Sequence, residues 1–131
     1  MSRVVVWVYR LLDGRLLRRT LLLLTTRGRK SGLPRTTALH YQVHRGDVVV
    51  CASNAGRKTL PAWFFNLKAD PHVRVQRARN HYSSVAEELK DADSWAAWIA
   101  RDPGYGRMAG PGNRYPLVRL RPDQKPVPSN S

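Results

Sequence analysis

Cysteine is almost absent from this chain of 131 residues. Cys51 stands alone, which excludes an intrachain disulfide and makes a reducing cytoplasm the expected setting. In the apolar run VVVCAS it reads as a small buried hydrophobe rather than a nucleophile. Acidic side chains are scarce as well. Nine Asp and Glu face 23 Lys and Arg, a formal net charge of +14, so an anionic partner is expected: nucleic acid, an anionic membrane or an acidic cofactor. No apolar run is long enough to cross a bilayer, and no small-residue cleavage site follows the first apolar stretch. His40, His44, His72 and His81 show no metal-ligand spacing with a carboxylate or cysteine, so no metal is expected. No internal repeat is evident. The length fits one domain over residues 1–122, followed by a disordered tail over 123–131 that is rich in proline.

What the chain does contain is organised around Leu21–Arg35, LLLLTTRGRKSGLPR. The four leucines and two threonines have the composition of a buried strand. The strand breaks at Gly28 and Gly32, with Arg27, Arg29, Lys30 and Arg35 crowded around the break and Ser31 and Thr36 adding hydroxyls. A glycine-punctuated loop lets backbone N–H groups approach a ligand, and the cations set its sign. The expected ligand is a phosphate or several carboxylates. Charge is uneven along the chain: residues 1–45 hold ten basic side chains and one acid, Asp13, whereas Val85–Asp102 holds five of the nine acids.

Before that loop, Val4–Leu12 has helical spacing and is stopped by Asp13-Gly14. This helix either caps the core or lies on anionic lipid with its arginines at the headgroups. After the loop, Thr36–His44 alternates, with Leu39, Tyr41 and Val43 on one face and His40, Gln42 and His44 on a polar face. Arg45-Gly46-Asp47 is a tight turn and Val48–Ser53 a returning strand. A helix is expected over Ala62–Ala69 with Pro61 at its first residue, and strands around Val73–Val75 and Tyr82–Leu89. A second helix spans Asp91–Arg101 and stops at Pro103-Gly104, and a last strand holds Leu117, Val118 and Leu120. The order α-β-β-β-α-β-β-α-β predicts an α+β fold, a small barrel of mostly antiparallel strands with helices packed outside. Ser53-Asn54 at a strand end and Trp63 with Asn66 on one helix face could border the same pocket as the cationic loop, although plain core packing accounts for Trp63 equally well.

Three blocks carry a resemblance. TTRGRKSGLPR is similar to the TTxGRKSGxPR signature of the deazaflavin-dependent nitroreductase family, which uses reduced coenzyme F-420. CASNAG and PAWFFNLKADPHVRV resemble its ASxGG and PxWyxNLxAnPxV blocks, and DPGY with YPLVRLRP gives a third match; together they run from Leu21 to Pro122. The resemblance implies a split β-barrel of the flavin-mononucleotide-binding type and hydride transfer from reduced F-420 to a quinone, a nitroaromatic or another conjugated acceptor. It assigns cofactor contacts to Arg29, Lys30, Arg35, Thr37, Ala38, Ser53, Asn54, Ala62, Trp63 and Asn66. One relative has lysine in place of Asn54, a charge that Arg57 or Lys58 could restore. Better-studied relatives carry a YPxYxxY pattern after the last helix, where this chain has Asp102, Tyr105 and Met108. Tyr105 is then the expected hydroxyl donor to the acceptor, with Ser53 a second, and the other tyrosines of that pattern are missing here. Abundant cations favour F-420, with its polyglutamate tail, over flavin mononucleotide. The resemblance alone makes an actinobacterial host the expectation.

Two rival functions follow from the same residues. A split barrel without catalysis could bind a deazaflavin, a flavin or a fatty acid. A nucleic-acid-binding protein would use the charge of +14, but Arg74, Arg77, Arg79, His81 and Tyr82 form no recognised motif, so no specific nucleic acid is expected. The partner expected is a small-molecule electron acceptor, with peripheral contact to an anionic membrane through the first helix as an addition. Oligomeric state is not legible in the sequence.

Overall fold

The computed structural model describes residues 21–123. The helix expected over Val4–Leu12 lies outside the described residues, and so does the tail from 124 onward. Pro122 closes the last strand.

Six strands form one closed antiparallel barrel: β1 (Leu21–Arg27), β2 (Pro34–His44), β3 (Asp47–Cys51), β4 (His72–Arg77), β5 (Asn80–Leu89) and β6 (Leu117–Pro122). Their order around the barrel is β1-β2-β3-β6-β5-β4, and β1 pairs with β4 to complete the ring. Each hairpin follows from its turn. Arg45 and Gly46 both take positive φ (54° and 84°), the primed geometry whose twist suits a two-residue hairpin, and His44 faces Asp47 across it. The barrel therefore confirms the antiparallel architecture expected from alternation.

Alternation also explains the core. Leu22, Leu24, Val48, Val50, Val73, Val75, Val118 and Leu120 point into the barrel and are buried. The opposite face of β3 is not solvated: Val49 and Cys51 meet Leu117 and Trp98 in a second cluster, flanked by Trp95, Ile99, Tyr105 and Tyr115. That is why VVVC is apolar throughout. Among the described residues three α-helices accompany the barrel: α1 (Ala62–Ala69), α2 (Ala92–Arg101) and α3 (Pro103–Ala109). Asp91 caps α2, its carboxylate accepting from the Ser94 backbone N–H at 2.9 Å. α1 drives Trp63, Phe64 and Leu67 into the barrel mouth, and Asp70 ends it as expected. Pro61 sits one residue before the helix, at its cap.

Two expectations are corrected. Pro103-Gly104 does not simply end a helix: Asp102 closes α2 and Pro103 opens α3, because proline lacks only an N–H that the first helical turn leaves unpaired anyway. The faces of β2 also differ at its far end. Gln42 is buried and Val43 is 39% exposed. α2 covers the polar face of β2, so that face is an interior rather than a wet surface.

Candidate functional site

A cleft of about 830 Å³ opens between the β1–β2 loop, the middle of β2, the segment after β3, the start of α1, and α3. Its size suits a large organic cofactor. The residues to which the resemblance assigns cofactor or donor roles all line it: Arg29, Lys30, Arg35, Thr37, Ala38, Ser53, Asn54, Ala62, Trp63, Asn66 and Tyr105. Arg27 does not, and Arg57 does where Lys58 does not. The cations of the lining are thus Arg29, Lys30, Arg35 and Arg57, and among the described residues that line the cleft none is acidic.

The loop that carries Arg29 and Lys30 and leads into Arg35 on β2 is tied by its own backbone. The Gly28 N–H donates to the Leu33 carbonyl at 2.8 Å, and the Gly32 N–H to the Gly28 carbonyl at 2.7 Å. At Gly28 a Cβ would lie 2.6 Å from Ser31 Oγ and 3.2 Å from the Leu33 carbonyl oxygen, so a side chain there would displace the Ser31 hydroxyl and crowd the loop backbone, and Gly32 adopts φ +74°, which disfavours any other residue. Asn66 fastens the loop to α1 and β1. Its Oδ1 accepts from the Arg29 backbone N–H (3.1 Å) and from Arg29 Nη1 (3.2 Å), while its Nδ2 donates to Thr26 Oγ1 (3.1 Å). Both Oδ1 lone pairs are then occupied, and one N–H remains. The Arg29 guanidinium also lies 5.2 Å from the centroid of the Phe65 ring, which is 41% exposed on the outer side of α1.

Across the cleft, Asn54, Ala55 and Gly56 form one 3-10 turn with three consecutive positive φ angles (51°, 55° and 82°). Asn54 tolerates this conformation and ties itself down by donating to the Thr59 carbonyl at 2.8 Å. Ala55 has no such compensation. Met108 of α3 packs against Gly56, where a Cβ would come within 2.9 Å of its Sδ. α3 therefore forms a rim of the cleft and docks on the turn.

The inner end of the cleft holds groups that sequence reasoning assigned no role. His40 lines it, and its Nε2 lies 2.7 Å from Asp102 Oδ2. Gln42 Nε2 donates both to that same Oδ2 and to the Trp98 carbonyl, each at 3.0 Å. The imidazole stacks near Tyr105 (centroids 6.3 Å apart, planes 20° apart) and meets the edge of Trp98 at 5.8 Å. Cys51 also lines the cleft, and burial pushes its thiol up to about 12. Burial, followed by Cys51 and Asp102, pushes the Tyr105 phenol up to about 12 as well. Both groups stay protonated at neutral pH, so each can donate a hydrogen bond but neither readily gives up its proton. The one signal of the His40 group in the sequence was the shared β2 face of His40 and Gln42; Asp102 lies 62 residues beyond His40.

The arrangement can hold a ligand that is anionic at one end and flat and apolar at the other. Arg29, Lys30 and Arg35 come from the β1–β2 loop and the start of β2 and Arg57 from the segment after β3, while Ala38, Leu39, Pro61, Ala62 and Trp63 supply apolar wall. A phosphorylated, carboxylate-bearing deazaflavin fits that division.

Comparison with known proteins agrees. Residues 1–123 match the family model described as F420H2-dependent quinone reductase. An F420H2-dependent quinone reductase of Mycobacterium tuberculosis is 30% identical over 112 residues, covering 82% of this chain and 68% of the relative. The solved structure of an F420H2-dependent reductase designated FDR-A superposes with a TM-score of 0.69 at 29% identity, over 79% of this chain and 95% of that one. HutZ, a heme storage protein from Vibrio cholerae, shares the fold alone, with TM-score 0.60 and 18% identity over 88% and 89% of the two chains.

Proposed function

The chain belongs to the F420H2-dependent quinone reductase family, and from this premise we propose that it oxidises reduced coenzyme F-420 with a quinone as acceptor in the cleft of about 830 Å³. The observation that carries the proposal is the charge division of that cleft, four cations and no carboxylate at its lining beside an apolar wall. When bound, reduced F-420 supplies the hydride. The protein's work is to bind, orient and exclude water.

In this reading Arg29, Lys30, Arg35 and Arg57 engage the phosphate and tail carboxylates, Arg as a planar fork and Lys as a compact charge. Thr37 and Ala38 on β2, with Ala62 and Trp63 on α1, flank the ring system. Ser53 and Asn54 reach its polar edge. Asn66 contributes at most one N–H to a ligand, because its other polar valences hold Arg29 and Thr26; its main role is to position Arg29. Tyr105 and Ser53 direct hydroxyls at the acceptor oxygen. Since burial holds the Tyr105 phenol to about 12, it serves as a hydrogen-bond donor to that oxygen rather than as its acid. Membrane contact would fall on residues 4–12, outside the described part; among the described residues no helix is long and apolar enough to cross a bilayer.

The test is anaerobic oxidation of reduced F-420 by a naphthoquinone, followed by return of the oxidised coenzyme's visible absorbance. Quinone-dependent turnover that is lost in the Lys30→Ala/Arg35→Ala double variant is expected. Binding of F-420 without turnover by any quinone of a panel would contradict the proposal.

A further inference from the structure

We propose that Met108 is a positioning residue: seated on Gly56, it fixes the far end of α3 and so holds Tyr105 at the acceptor end of the cleft. The proposal rests on the quinone reductase reading above and adds a residue and a role to it.

α3 is a helix that its own backbone cannot place. It has seven residues, two of them glycine, and runs from a non-helical Asp102 (φ −132°, ψ 77°) to Gly110 at φ 90°. A helix this short is not stable by itself, so its position is set by what holds its ends. At the start, Asp102 Oδ2 accepts from Gln42 Nε2 at 3.0 Å and lies 2.7 Å from His40 Nε2, which ties that end to β2. In the middle, Gly106 faces Ile99 of α2, where a Cβ would lie 3.6 Å from Ile99 Cγ2. At the far end, the side chain of Met108 reaches the turn that follows β3.

That last contact is close. A Cβ on Gly56 would come within 2.9 Å of Met108 Sδ and 3.1 Å of its Cγ, so the thioether fills the space that the glycine leaves open. Methionine suits the purpose, being unbranched, flexible and polarisable. Gly56 is the last of three residues at positive φ, and a turn of that kind persists where its surroundings hold it. Met108 is one such hold. Asn54, Ala55 and Arg57 of the same segment line the cleft, whereas Met108 does not. Its influence on a bound ligand therefore runs through the turn and through Tyr105, which lies one helical turn before it on α3.

Tyr105 needs the support. Its ring lines the cleft, meets the edge of Trp98 at 5.3 Å and stacks near His40 at 6.3 Å. A hydrogen-bond donor helps a reaction only when it is aimed, and a misplacement of about 1 Å can cost roughly 10²-fold. In the YPxYxxY pattern that this segment resembles, tyrosines flank the middle one at the positions of Asp102 and Met108. Here both positions anchor α3. The chain lacks two hydroxyls and uses their places to fix the third.

The test uses the full chain with F-420 and a naphthoquinone, and variants Met108→Ala, Met108→Leu, Tyr105→Phe and Met108→Ala/Tyr105→Phe. Met108 is 42% exposed and outside the barrel core, so its truncation leaves the fold intact. In Met108→Ala, F-420 affinity by fluorescence titration should stay within about threefold of wild type while quinone turnover falls about tenfold. Met108→Leu, similar in volume, should keep both within about twofold. Adding Met108→Ala to Tyr105→Phe should cost less than about twofold more, because both changes act through one group. Tyrosine Cζ NMR of the cofactor-free protein gives a readout independent of turnover, with Tyr105→Phe identifying the signal. At about pH 10.5 the Tyr105 phenol should be mainly protonated in the wild type and in Met108→Leu, and markedly more ionised in Met108→Ala, where a loosened α3 exposes it. Unchanged turnover in Met108→Ala, losses that simply multiply in the double variant, wild-type turnover in Tyr105→Phe, or a Tyr105 phenol that titrates alike in all three proteins would each overturn the positioning role. A wild type that binds F-420 but reduces no quinone would overturn the function proposed above, and the tyrosine signal would still decide whether Met108 holds Tyr105.

Discussion

Replacing Asn66 with alanine removes three hydrogen bonds from one point. The Arg29 backbone N–H, Arg29 Nη1 and Thr26 Oγ1 all lose their partner, from 3.1, 3.2 and 3.1 Å respectively. Two of these groups matter for stability. Asn66 and Thr26 are 4% and 1% exposed, so water cannot easily replace the amide at the threonine or at the loop backbone. At about 1 kcal/mol for each buried bond, with an added cost for groups left unpaired, the loss is roughly 2–3 kcal/mol. For a domain of this size that lowers the melting temperature by about 10 °C. Asn66→Asp separates stability from binding. Its carboxylate still accepts from Arg29, and Thr26 can rotate to donate, so most stability should remain. The new negative charge at the cleft should nonetheless weaken F-420 binding by about tenfold or more. Thermal unfolding followed by circular dichroism, beside fluorescence titration, reads both effects. An Asn66→Ala protein melting within about 2 °C of wild type would refute the anchoring argument.

Further predictions concern strain, burial and pH. Ala55→Gly should raise stability by about 1 kcal/mol in urea unfolding, because Ala55 holds φ 55° without the compensating bond that Asn54 makes. Ser84→Ala should also stabilise, by up to about 1 kcal/mol, since its Oγ is fully buried among the barrel strands without a hydrogen-bond partner among the described residues. In the alkaline range the sign follows from burial: the folded chain holds the Cys51 thiol to about 12 rather than 9.0, and the Tyr105 phenol to about 12 rather than 10.0. The folded state thus binds these protons more tightly. Their contribution is complete below about pH 9 and is lost as pH rises toward 12, which melting curves across that range will show. Thiol labelling at pH 8 should accordingly be slow in the native protein and fast in denaturant.

Much of the fold was legible because its strands obey a period of two and its turns carry the residues that their geometry needs. Val73 and Val75, alternating with Arg74 and Gln76, reveal an inner face directly, and Arg45-Gly46 reveals the hairpin, whereas the runs LLLL and VVVC are apolar on both faces. The cationic half of the cleft was legible too. Gly28 and Gly32 punctuate it, one packed closely against Ser31 and the Leu33 carbonyl and the other at positive φ. The errors arise where distant segments meet. Pro103-Gly104 reads locally as a stop, and only its position directly after a closing helix makes it the start of α3. Gln42 was placed on a polar face because alternation says nothing of what covers that face; α2 does, through the Trp98 carbonyl. The pairing of His40 with Asp102 joins β2 to a helix corner 62 residues later, and no periodicity carries that information.

The central claim is that this cleft binds F-420 through its cationic loop. Its most direct test is fluorescence titration of the protein with F-420 and, in parallel, with flavin mononucleotide, repeated for Lys30→Ala and Arg35→Ala. The account predicts tighter binding of F-420 than of the flavin, weakened by added salt and by each substitution. Equal affinity for both ligands, or F-420 binding indifferent to Lys30 and Arg35, would contradict it.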